Sequence, residues 1–190
     1  MTEPSHWPAY PVGPKDSIFA IGVVSIKFAE LERALHFLFG TVFGIGMDGT
    51  KTIVAKVGSA TCSQILSLQL PTVEWPTQYR ADVDYFISAF DICLENRNQL
   101  IHSQISVLSS DHTILSKLSK KGTSIMAAPK LAELRRVADD INTYCIYGRA
   151  LGNSINLASA STPPAFAFPW PSRPPLPHKM NYSSEPLRLT

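Results

Sequence analysis

The chain is expected to be all-α, a four-to-five-helix bundle, on three observations. Apolar residues recur at three- and four-residue steps over four long stretches, and glycine and proline fall chiefly between those stretches. One short segment alone switches to alternation. With 190 residues, 45% hydrophobic and 17% charged, the chain is long enough for one domain with a real core.

Residues 1–14, with prolines at 4, 8, 11 and 14, read as an extended N-terminal arm. The helical domain spans 15–158. Its first helix starts at Lys15 and carries Phe28, Leu31, Leu35, Leu38 and Val42 on one stripe, until Gly44, Gly46 and Asp48-Gly49 stop it. The apolar run Ser17–Ile26 lacks a basic leader. Lys27, Glu30, Glu32 and Arg33 interrupt it well before the roughly 20 apolar residues that a membrane span requires. A cytoplasmic protein with no membrane element is therefore expected.

A second helix is expected over Thr50–Leu70, weakened by β-branched residues and Gly58. Pro71 and Pro76 bracket a loop holding Trp75. The third helix starts near Thr77, read as its N-cap, and places Tyr79, Val83, Phe86, Ile87, Phe90 and Leu94 on one side, running on to Leu100 and Ile101. Alternation over Gln104–Val107, a turn at Ser109–His112 and a return over Thr113–Lys117 predict a short β-hairpin; Lys117, Lys120 and Lys121 make it the most basic loop. Pro129 suits the first turn of a last helix, whose stripe is Leu131, Leu134, Val137, Ala138, Ile141, Cys145 and Ile146. Residues 159–190 hold eight of the fifteen prolines and read as an extended or disordered tail. Phe166, Phe168 and Trp170 are its candidate anchors, on a partner or back on the domain.

A net charge of +2 is no basic footprint, so global charge carries no argument for nucleic-acid binding. Cys62, Cys93 and Cys145 are far apart and set among apolar residues, which predicts reduced, buried thiols and no metal site. His36 follows Glu32 by one turn but has no third ligand in view.

The segment Glu95-Asn96-Arg97-Asn98-Gln99-Leu100-Ile101-His102-Ser103 holds the chemistry. It joins a permanent cation, an imidazole that titrates near neutrality and an amide at the end of an amphipathic helix. Asn98 and His102, four apart, share a face, whereas Arg97 lies about 140° of rotation from His102 and must swing to reach it. One copy makes a weak phosphate site; two copies across a dimer axis would make a cleft with two guanidiniums and two imidazoles. Such a cleft suits RNA cleavage by 2′-hydroxyl attack, with histidine as general acid/base and arginine stabilising the phosphorane. The competing reading makes Arg97 a surface ion-pair partner of Glu95 or Asp91, and His102 a helix C-terminal residue favoured by the macrodipole.

Arg-Asn-x-x-x-His at a helix end resembles the Arg-x(4–6)-His signature of the HEPN superfamily, and Asn98 supplies the usual polar residue after the arginine. FAELERALHFLFG in the first helix and LAELRRVADDINTY in the last are similar to the flanking helices of small bacterial HEPN-like proteins, so the resemblance covers roughly residues 15–157. It implies a metal-independent, cofactor-free endoribonuclease, homodimeric, often a toxin or antiviral defence effector. Arg97, Asn98 and His102 would be its catalytic set. Glu32 is a candidate supporting group, and Lys117, Lys120 and Lys121 are candidate RNA-backbone contacts. RNA, a second copy, and an antitoxin or protein partner bound through the Pro-rich tail are the expected partners. The alternative is a non-catalytic helical module that binds RNA or protein as a subunit of a larger assembly.

Overall fold

The computed structural model describes residues 13–109, 112–118, 124–158 and 169–180, without the side chains of 105–114 and 117–126. Helix α1 (Lys15–Phe43) buries Val24, Phe28, Leu31, Leu35 and Leu38, the stripe that its three- and four-residue spacing dictates. It stops at Gly44, whose φ of 60° is left-handed. There the amides of Gly44 and Ile45 return to the carbonyls of Thr41 and Gly40 at 3.3 and 2.8 Å.

The next segment departs from the single helix expected over 50–70. It is two helices, α2 (Met47–Val57) and α3 (Ser59–Gln69), broken at Gly58 with φ 76°. Nothing crowds a Cβ at Gly58, so its backbone angle alone is what calls for glycine. The β-branched Thr52, Ile53, Val54 and Val57 are indifferent helix formers, and α2 buries only Thr50, so little opposes the break.

A 3₁₀ turn (Leu70–Thr72) leads to α4 (Thr77–Ile101). Pro76 occupies the N-cap position and Thr77 makes no capping bond, contrary to the expected Thr77 cap. The Pro76 carbonyl accepts the amides of Tyr79 and Arg80 instead. Beyond α4 the expected hairpin, β1 (Gln104–Ser109) with β2 (His112–Leu118), gains a third antiparallel strand, β3 (Ser124–Ala127). Ile105 lies opposite Leu115, and Lys117 opposite Ile125. Fully buried Leu115 joins the helical core.

Helix α5 (Leu131–Ala158) packs along α1. Its Gly148 faces Phe86 and its Gly152 faces Phe37 so closely that a Cβ would lie 2.4 and 2.6 Å from those rings. The fold is thus all-α in its framework, with a small sheet at the end of α4. No helix among the described residues is long and apolar enough to cross a membrane.

The tail is not uniformly loose. Residues 169–180 run extended across α4 and α5, fixed by Trp170, Arg173, Pro174 and His178, and Met180 is buried. Phe166 and Phe168 lie outside the described residues, as do residues 1–12 of the arm.

Candidate functional site at the end of α4

The last turns of α4 set the site. Asn98 Oδ1 accepts from Arg97 Nη1 at 3.0 Å, and the same Nη1 lies 3.5 Å from His102 Nε2. The arginine therefore spans the rotation that helix geometry puts between it and His102. It does so by folding over α1, with its guanidinium carbon 5.6 Å from the centroid of the Phe28 ring, a cation–π contact. Its Nε is buried and has no hydrogen-bond partner among the described residues. Neither Asp91 nor Glu95 pairs with Arg97, so the ion pair of the competing reading does not form. Glu95 pairs with Lys179 at 2.8 Å, and Asp91 accepts from Ser63 Oγ at 2.9 Å.

His102 is exposed and leaves the helix at φ −97°, ψ 8°, while its amide still donates to the Asn98 carbonyl at 3.1 Å. Ser103 Oγ donates to the Gln99 carbonyl and closes the same turn. Arginine has no acceptor, so a hydrogen bond across the Arg97–His102 contact would require Nε2 to accept. At 3.5 Å this contact is at the long limit of a hydrogen bond.

The site opens on a groove of about 700 Å³ between α3 and α4, lined in part by Gln64, Asp91, Glu95, Asn98, Gln99 and His102. That volume falls in the range of small-ligand sites. The groove offers amides and carboxylates to a ligand, with the His102 imidazole among its lining residues. Burial pushes the Asp91 carboxyl above the usual carboxylate range, and the Ser63 bond opposes that shift.

The other expected residues fall as follows. Glu32 is half-buried, and among the described residues it makes no ion pair with Arg97 or His102. It acts instead on His36, whose imidazole bonds Ser59 Oγ at 3.0 Å. The side chain of Lys117 is not described, and Lys120 and Lys121 lie outside the described residues. The three cysteines are free and buried. Burial, with Glu30 second, raises Cys145 to about 11, and burial also raises Cys62 and Cys93, so none is a ready nucleophile. Among the described residues no group of three or more His, Cys, Asp or Glu side chains could hold a metal ion.

Phe28 was legible as a core residue but not as a platform for Arg97. The polar receptors on α4, Asp82 and Asn96, were also missed. Both interrupt an apolar stripe at core positions, and that interruption was the available signal. Comparison with protein-family models, curated proteins and solved structures finds no match to this chain.

Proposed function

We propose that the chain is a HEPN-type, metal-independent endoribonuclease that works as a homodimer on single-stranded RNA, in a toxin or defence setting. One observation supports the reading above all: Arg97 Nη1 lies 3.0 Å from Asn98 Oδ1 and 3.5 Å from His102 Nε2, and both partners line the groove between α3 and α4. A structural arginine would spend its donors on carboxylates. This one pairs with no carboxylate among the described residues, and its Nη1 faces an amide and an imidazole.

In the proposed reaction Arg97 holds the scissile phosphate and Asn98 fixes the guanidinium. His102 Nε2 takes the proton of the ribose 2′-hydroxyl. The 2′-oxygen forms a bond to phosphorus as the bond to the 5′-oxygen breaks, and Arg97 stabilises the charge on the phosphorane. The second copy's imidazole, protonated, gives its proton to the leaving 5′-oxygen. The products are a 2′,3′-cyclic phosphate and a 5′-hydroxyl. DNA lacks the attacking group and is not cut.

The test is incubation of purified protein with single-stranded RNA in EDTA. Cleavage with 2′,3′-cyclic phosphate ends, lost in His102→Ala, is the expected result. Strictly metal-dependent cutting, or cutting that His102→Ala leaves untouched, rules the mechanism out.

A further inference from the structure

The strongest feature outside the α4 terminus is the manner in which residues 169–180 are held. Prolines at 169, 171, 174, 175 and 177 fix φ near −65° and favour an extended polyproline-type strand. The bundle meets that strand with a row of tyrosines. The Trp170 ring stacks on Tyr79, centroids 4.2 Å apart and planes 17° from parallel. The Arg173 guanidinium lies 5.1 Å from the Tyr85 ring centroid. Tyr85 Oη donates to the Pro174 carbonyl at 2.6 Å, and Tyr144 Oη lies 3.2 and 3.1 Å from the carbonyls of Pro174 and Pro175.

Two polar side chains of α4 complete the grip. Asp82 receives Trp170 Nε1 on one oxygen at 2.6 Å and Arg173 Nε on the other. Asn96 brackets the main chain, donating to the His178 carbonyl at 2.7 Å and accepting the Met180 amide at 2.9 Å; Asp140 accepts the His178 amide at 2.9 Å. Asp82 and Asn96 are almost fully buried with the strand in place, and stripped of it they would lose most of these partners. The strand itself rides on the surface, with Ser172, Arg173, Pro175, Leu176 and Lys179 exposed.

Tyrosine rings stacked on a tryptophan and lying under an arginine, hydroxyls bonding proline carbonyls and one carboxylate reading that arginine are the features of a peptide-recognition groove. We infer that the α4–α5 face is a recognition site for arginine-bearing proline-rich peptide, occupied here by residues 169–180 of the same chain, and that it takes the same segment from a second copy. Chain length permits the exchange. Tyr147, which faces Asp82, precedes the end of α5 by eleven residues, about 16 Å of helix. The ten residues 159–168 can span up to about 33 Å. Exchange between copies re-forms identical contacts, so it requires no new complementarity. This inference does not depend on the nuclease reading.

The test uses the full chain carrying Trp170→Ala and Arg173→Ala, which weakens its own segment and leaves the groove intact. A fluorescent peptide of residues 169–180 should bind this variant with a Kd in the micromolar range. Wild type should bind it at least tenfold more weakly, because the attached segment competes at an effective concentration of order millimolar. Adding Tyr85→Phe and Tyr144→Phe to the variant should weaken binding at least tenfold. No binding by a cooperatively melting variant, or binding indifferent to the tyrosine changes, overturns the site. If the double variant does not fold, wild type cut at a protease site placed within 159–168 serves instead. Replacement of the released segment by labelled peptide supports the site, and no replacement overturns it. For the second copy, differently tagged Trp170→Ala/Arg173→Ala and Asp82→Ala chains are mixed at ten times the peptide Kd. Co-capture supports exchange between copies, and its absence overturns that source.

Discussion

Asn96 and Arg97 are neighbours on one helix, yet they have opposite fates. Asn96 is 1% exposed, and both ends of its amide are engaged by main-chain groups of the docked strand. Arg97 is half-buried, shares one nitrogen between an amide and an imidazole, and keeps Nε without a partner. Asp82, earlier on α4, resembles Asn96, with Tyr147, Trp170 and Arg173 on its carboxylate. Along α4, Asp82 and Asn96 therefore fasten the chain to itself, whereas Arg97 pairs only with its near neighbours Asn98 and His102. Saturation marks the first as architecture, and the exposed imidazole beside the second is what the proposed nuclease reading rests on.

Substitutions on the two sides should separate cleanly. The largest effect is expected from His102→Ala or Arg97→Ala, which should lower RNA cleavage by about 10²- to 10⁴-fold, the usual worth of a general acid/base or a charge-stabilising donor. Circular dichroism melts should hardly move for His102→Ala. A melt that collapses alongside activity would assign that histidine to architecture.

Next in size is Asn96→Ala. It strips two main-chain groups of their partner and should cost about 1–3 kcal/mol in denaturant unfolding. Cleavage measured well below the midpoint should stay close to wild type. An unchanged stability would show that the docked strand adds nothing at that point.

Gly58→Ala puts a side chain on a backbone with φ 76° and should cost about 1 kcal/mol. A stabilised variant would mean that α2 and α3 can merge into one helix.

The smallest expected effect is a pH dependence at His36. Burial lowers its pKa, with Glu32 opposing. The folded-state value thus lies below the unfolded one, near 6.5. The associated stability is full above that value and is lost as pH falls through the folded-state pKa. Wild type should lose more melting temperature between pH 7.5 and 5.5 than His36→Gln, and equal losses would deny His36 that role.

Much of the framework was readable because helix periodicity is local. The stripes through Phe28 to Leu38 and Val83 to Phe90 fall where their spacing puts them, and Gly44 ends α1 as a glycine should. Gly58 was noticed as a weakness but not as a break, since a glycine inside a helix and a glycine between two helices look alike in sequence. Strand β3 escaped because Ser124–Ala127 is four residues long and earns its place only by pairing with β2. In the docking of 169–180, Trp170 was an expected anchor, on a partner or back on the domain, but its receptor escaped for a different reason. Tyrosine hydroxyls bonding proline carbonyls leave no pattern along the chain, and only Asp82 and Asn96, polar on an apolar stripe, hinted at a receptor. At the site, the three residue types and the Asn98–His102 stacking were legible, whereas the path of Arg97 over α1 depends on a ring 69 positions away in sequence.

That ring has a consequence of its own. Phe28 is 2% exposed, touches Phe90 in the interior and presents its face to the Arg97 guanidinium. Its identity is thus under two requirements, volume from within and π-electron density from without. Leucine or methionine at position 28 can satisfy the first and not the second. A library at this one position should therefore yield well-folded proteins that rank by aromaticity, not by size, in how firmly they hold the Arg97 guanidinium in place.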